Sequence, residues 1–190
     1  MMEKNSMLLV VDPQLDFISG SLPVPGAAEA MDRFAHYVQT HGDDYAVRIV
    51  TSDWHPYNHC SFDRKGGPWP PHCVQHSAGA ALWQPLLETL NHTRGGFTML
   101  YKGMAVDRDE YSIMQNADAA SVIVRLVAAL NIGRIDVCGL AGNVCVLNTA
   151  RDLATLCGPS AVRILTDYAP SLDDGSELRA FIGQEGLDSL

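Results

Sequence analysis

Charge is scarce in this chain: only 18% of its 190 residues are Asp, Glu, Lys or Arg, and acids outnumber bases 22 to 13, for a net charge of −9. With so little positive charge nothing draws phosphates in, which argues against a nucleic-acid partner. Long apolar runs are missing too. None approaches the ~18 residues that a membrane span needs. The start, MMEKNSMLLVV, has too short an apolar part for a signal peptide and runs straight into acidic residues. Cys-x-x-Cys is absent, so a ribbon-type zinc site is not expected. The five cysteines (Cys60, Cys73, Cys138, Cys145 and Cys157) are odd in number and lack framework spacing, which reads as reduced thiols. Linkers and internal repeats are lacking as well. What remains is one soluble, cytoplasmic domain over residues 1–190, with no membrane partner.

What is present is a core. Hydrophobic residues make up 47% of the chain, and five apolar runs read as buried strands: Met7–Val11, Ala46–Thr51, Phe97–Tyr101, Ile135–Leu140 and Ala161–Leu165. Most are continuous rather than alternating, which suits a parallel sheet covered on both faces. Helical stripes lie between them, such as Ala27, Met31, Phe34, Ala35 and Val38, then Leu82, Leu86, Leu87 and Leu90. Val122, Ile123, Leu126, Val127 and Leu130 form another, as do Leu147, Ala150, Leu153 and Ala154. A closing helix is expected from Gly175. Strand and helix in alternation predict an α/β fold, a three-layer doubly wound sheet, mostly parallel. One long stretch, Asp53 to Ser77, is rich in Pro, Gly, His and Trp, and a loop of that length is usually functional.

Ligands of open α/β sheets bind beyond the carboxyl ends of the strands, so the residues that follow each strand matter most. They are Asp12, then Asp53-Trp54-His55, then Lys102, then Ala141-Gly142-Asn143-Val144-Cys145. Cys145 sits behind a Gly-containing turn at the expected start of a helix, where backbone N–H groups favour a thiolate and could hold an oxyanion. The competing reading is a small buried hydrophobe. Asp12 could take the thiol proton and return it to a leaving amine, or could be a turn aspartate before Pro13. Lys102 could stabilise the thiolate and orient Asp12, or be an ordinary exposed lysine. Asp53 and His55, with His59 and His72, form a plausible mononuclear site for zinc, manganese or ferrous iron. His72 and His76 could instead share a helix face, and Cys60 and Cys73 are softer alternative ligands. Phe17 and Trp69 could sandwich a flat ring with Tyr111 as a third wall.

These residues carry a family resemblance. VVDPQLDF (10–17) resembles the opening of the nicotinamidases, which belong to the isochorismatase-like cysteine hydrolases. SDWHPYNHCSF (52–62) is similar to the metal loop of that family, and PWPPHCVQ (68–75) to its WPxHC segment. YKG (101–103) resembles its lysine motif and GLAGNVCV (139–146) its nucleophile loop, all in the same order. The resemblance implies an isochorismatase-like fold and a triad of Asp12, Lys102 and Cys145. It implies Asp53, His55 and His72 as ligands of one divalent metal, zinc first, with iron or manganese as alternatives. His59 would be a further ligand or stand behind the others. Phe17 and Trp69 would flank a pyridine ring. The backbone N–H groups of Ala141 and Cys145 would form an oxyanion hole, with a cis peptide at Leu140–Ala141. The implied reaction converts nicotinamide, a small-molecule amide substrate, to nicotinate and ammonia in NAD salvage, and such enzymes form homo-oligomers. Two rivals stand beside it: hydrolysis of another small amide or carbamoyl group, and a non-catalytic ligand-binding relative. The chain also departs from the family pattern. Gly142-Asn143 stands where Thr-Asp is usual. Ile113-Met114 follows Tyr111-Ser112 where an aromatic is usual, and residues 20–24 lack an expected glycine.

Overall fold

Five consecutive apolar residues make a stable strand only where both faces are covered. The computed structural model, which describes residues 5–190, places Met7–Val11 in such a strand; the opening residues 1–4 lie outside the described residues. β1 (Asn5–Val11) is followed by a single turn, α1 (Leu15–Ile18), and by α2 (Ala27–His41). Then come β2 (Val47–Asp53), α3 (Gln84–His92), β3 (Thr98–Lys102), α4 (Ala117–Ala129) and β4 (Ile132–Gly139). α5 (Leu147–Cys157), β5 (Val162–Ile164), α6 (Ser176–Glu185) and β6 (Asp188–Ser189) complete the described chain. The strands form one parallel sheet in the order β3-β2-β1-β4-β5-β6. No helix among the described residues is long and apolar enough to cross a membrane.

Period-two alternation along β1 divides the core. Met7, Leu9 and Val11 pack with Ile123 of α4, Leu153 of α5 and Phe181 of α6. Leu8 and Val10 pack with Phe34 of α2 and Leu90 of α3. All five β1 residues are fully buried, which at about 25 cal/mol per Å² is several kcal/mol of hydrophobic stabilisation from one strand. The helices thus lie on both faces. The order reverses between β1 and β4, where the connections leave in opposite directions and a crevice opens at the carboxyl ends. The two strands press closely there. Gly139, at φ +115°, has no room for a Cβ, which would lie 2.0 Å from the Val11 carbonyl oxygen.

The expected strands and helices are present, with shifted ends. β2 runs on to Asp53 and β3 to Lys102, so both polar residues end their strands rather than follow them. β4 begins earlier, at Ile132, because its start pairs with Asn5. Leu82 lies before α3, whose first turn holds Pro85. β6 was not expected, since a two-residue polar edge strand carries no apolar signal. The stretch from 54 to 77 forms no helix beyond one short turn at Asp63–Lys65, so His72 and His76 share no helix face. Single bridges at His55 with Val74 and Phe62 with Trp69 tie that stretch to itself.

Candidate active site

Strand register brings the polar ends together. Asp53 and Lys102 are direct partners in the parallel pairing of β2 and β3. Asp12 follows the last residue of β1, in the left-handed region at φ 45°, a conformation that costs energy and clusters at functional sites. Lys102 is completely buried. Its Nζ lies 2.9 Å from Asp12 Oδ2, 2.5 Å from Asp53 Oδ1 and 3.4 Å from Cys145 Sγ. A buried ammonium is tolerable only with such partners. Thr51 Oγ1 donates to Asp12 Oδ1 at 2.7 Å. The Gln14 side chain accepts from the Asp53 N–H and donates to the Asp53 carbonyl, each at 2.8 Å, and so clamps the end of β2.

These contacts set the proton affinities. Burial pushes the Asp12 carboxyl up; Lys102 pulls it down and Asp53 adds to the rise. Burial also opposes ionisation of Asp53, but Lys102 and then His55 outweigh it and hold that carboxyl well below the usual range. Burial works against the Lys102 charge, yet Asp12 and Asp53 together keep its ammonium well above the ordinary value. For Cys145 burial dominates and pushes the thiol well up, with Lys102 offsetting only part. Burial thus works against the thiolate that a place beside a helix start would favour. Cys145 lies in a π-type turn (Gly142–Val146) that leads into α5, its Sγ within 4.8 Å of carboxylate oxygens of Asp12 and Asp53.

Asp53, His55 and His72 form a second cluster, their ligand atoms within 4.8 Å of one another. The His55 Nδ1–H donates to the Gly103 carbonyl at 2.9 Å, and the His72 Nδ1–H to the Pro70 carbonyl at 2.8 Å. That leaves the two Nε2 atoms as the available ligand atoms, and His55 Nε2 lies 3.6 Å from Asp53 Oδ2. A carboxylate and two imidazole nitrogens with pinned tautomers fit a divalent ion. Gly103 is required here: it sits at φ +65°, and a Cβ would lie 2.4 Å from His55 Cε1.

His59 stands apart from that cluster. Its ring stacks on His55 at 4.1 Å and it groups with His55 and Asp109. The Ser61 backbone N–H donates to its Nδ1, so its Nε2–H donates to the Arg108 carbonyl at 3.1 Å. Both nitrogens are engaged in holding two loops together. Cys60 and Cys73 join none of the three metal-capable groups among the described residues, and Cys73 is part of the core.

One pocket is lined by residues of both clusters. Its lining includes Cys145, Ala141, Asp53, His55 and His72, with Phe17, Trp69 and Tyr111 as aromatic walls. Trp69 Nε1–H donates to the Tyr111 hydroxyl oxygen at 3.2 Å, fixing one wall. The peptide between Leu140 and Ala141 is cis. Sequence reading missed Thr51, Gln14, Glu110 and Leu172. Glu110 is buried at the cavity, where it accepts from the Gly103 N–H at 2.8 Å. A polar Thr inside an apolar strand was the one available signal among these.

Comparison with known proteins agrees with the geometry. Residues 6–158 match the Isochorismatase domain family. The chain is similar to a nicotinamidase of Escherichia coli, 33% identical over 84% of this chain and 80% of that one. It superposes on the pyrazinamidase of Pyrococcus horikoshii in complex with zinc with a TM-score of 0.83, at 29% identity and 98% coverage of each chain. PnC1 from L. infantum in complex with nicotinate gives the same TM-score at 35% identity, covering 98% of this chain and 92% of that one.

Proposed function

The chain belongs to the isochorismatase family, and on that premise we propose that this amidohydrolase converts nicotinamide to nicotinate and ammonia. The observation that carries the reading is one aromatic-walled cavity lined both by Cys145 and by the Asp53, His55 and His72 cluster. The relatives' names, and their complexes with zinc and with nicotinate, support it.

Cys145 is the nucleophile and Asp12 its base. As Sγ attacks the carboxamide carbon, its proton passes to Asp12, whose raised affinity suits it to accept. Lys102 holds the Asp12 carboxylate in place and steadies the thiolate as it forms. The oxyanion is held by the backbone N–H groups of Ala141 and Cys145. Asp12 then gives the proton to the departing nitrogen, and ammonia leaves a thioester on Cys145. Water attacks that thioester, Asp12 takes a proton from it, and the carboxylate departs as the thiol is restored.

Asp53, His55 and His72 would hold a divalent ion, zinc being our choice. When bound, that ion supplies a Lewis-acidic contact for the ring nitrogen. Phe17, Trp69 and Tyr111 enclose the ring and exclude water. His59 acts by supporting His55 rather than as a ligand.

The test is ammonia release from nicotinamide by the purified protein before chelation, after it and after metal is restored. Release that falls with chelation and returns with zinc is expected. Folded, metal-loaded protein that releases none would overturn nicotinamide as substrate. A second expectation concerns Gly103. Gly103→Ala should displace the His55 ring and weaken zinc binding by about 10-fold or more, with a backbone cost of ~1 kcal/mol. Competition titration with a chromogenic chelator reads the affinity, and unchanged affinity would remove His55 from the ligand set.

A further inference from the structure

Resting on the nicotinamide reading, we propose that Asn143 is a specificity-determining positioning residue: it ties the nucleophile turn to the cavity wall at Leu172 and so sets how tightly the substrate ring is held. Asn143 lies two residues before Cys145. Its side-chain Oδ1 accepts from the Leu172 backbone N–H at 3.0 Å. Its Nδ2 reaches Glu177 Oε2, in the first turn of α6, at 3.4 Å. One amide thus bridges three segments, and an amide suits the place because it accepts on one side and donates on the other. A carboxylate at 143 could accept from Leu172 but would face the Glu177 carboxylate.

The strap that Asn143 holds is packed tightly on the turn. The Gly142 N–H donates to the Pro170 carbonyl at 2.8 Å. A Cβ at Gly142 would lie 2.3 Å from the Ala169 carbonyl oxygen and 2.5 Å from Ser171 Oγ, so residues 169–171 sit directly against the turn. Leu172 follows, and its half-buried side chain lines the cavity with Phe17, Leu22 and Val144. Among the described residues, Asn143 supplies the one side-chain hydrogen bond to the backbone of this wall residue.

Loss of that bond should act on binding of the ring rather than on the chemical step. Cys145 keeps its place without the Asn143 side chain, because the Val144 and Val146 N–H groups both donate to the Ala141 carbonyl. Asp12 and Lys102 come from β1 and β3 and do not touch Asn143. A wall that recedes loosens substrate in the ground state and transition state alike, which raises KM and leaves kcat nearly constant.

The experiment is steady-state nicotinamide hydrolysis by the zinc-loaded wild type, Asn143→Ala, and the exchanged pair Asn143→Asp with Glu177→Gln. Amide hydrogen exchange at Leu172 is followed in each. The alanine variant should show KM raised about 10-fold, kcat within about 3-fold of wild type, and faster exchange at Leu172. The exchanged pair keeps the acceptor for Leu172 and moves the donor to residue 177, so it should return KM to within about 3-fold of wild type and restore protection at Leu172. An unchanged KM in the alanine variant, a fall in kcat in place of a rise in KM, or failure of the exchanged pair to rescue would each overturn the inference. A wild type that releases no ammonia from nicotinamide would instead overturn the functional reading on which it rests.

Discussion

Cys145→Ala should reduce ammonia release from nicotinamide by about 10⁴-fold or more, to the rate set by bound water alone. The expectation follows from where the groups sit. The thiol is one of the groups lining the cavity, and it lies beside both the base and the buried ammonium. No other described cysteine shares that place: Cys138 and Cys73 are packed in the opposite core, and Cys60 and Cys157 do not line the cavity. Removing one sulfur from a turn already held by backbone bonds should cost only about 1 kcal/mol of stability. Metal content should not change, since Asp53, His55 and His72 keep all their partners. The variant should therefore remain folded, metal-loaded and inert. Turnover at the wild-type rate would place the nucleophile elsewhere.

Lys102→Met should be nearly as damaging, and to the fold as well as to the reaction. Methionine matches the shape of the lysine stem but takes away the ammonium that the buried Asp12 and Asp53 carboxylates share, and Asp12 loses its one cationic partner at hydrogen-bond distance. Removing one partner from a buried ionic cluster costs about 3–5 kcal/mol. The pH dependence gives the sign. In the native protein Lys102 is held well above its ordinary value, so its contribution is complete below that ordinary value and is lost only as pH rises through the native one. In the variant both carboxylates are pushed up by burial, so the folded state binds protons that the unfolded state does not. The deficit should be largest near neutral pH and shrink as acid protonates them. Urea unfolding at pH 5 and pH 7.5 would show it, and a deficit independent of pH would mean that packing rather than charge dominates at this position.

The framework was legible because β1 is apolar on both faces from Met7 to Val11, and a continuous apolar run has few alternatives to a covered parallel strand. Ligands of such sheets bind beyond the carboxyl ends of the strands, which is why Asp12, Lys102 and Cys145 could be grouped without coordinates, and the family resemblance named the three as a triad. Finer distinctions depended on contacts that chain order does not encode. His55, His59 and His72 look equivalent in sequence; the Ser61 N–H on His59 Nδ1 separates the three. The position of Cys145 beside a helix start favours a thiolate, but burial pushes the other way and is the larger effect. Thr51, Gln14 and Glu110 reach the site through partners 39, 39 and 7 residues away, and of the three only Thr51, polar inside an apolar strand, carries a local mark. Gly142-Asn143 stood out as a departure from the family pattern, and its meaning became visible once Leu172 and Glu177 were seen beside it.

The central claim is that the amide is cleaved through a thioester on Cys145, and partitioning with hydroxylamine tests it most directly. Nicotinamide would be turned over at rising hydroxylamine concentrations, with nicotinate, nicotinohydroxamate and ammonia measured together. A shared acyl-enzyme predicts that hydroxamate grows at the expense of nicotinate while ammonia release is not reduced. Full turnover to nicotinate with no hydroxamate at any hydroxylamine concentration would mean that water attacks the amide directly, and would contradict the mechanism.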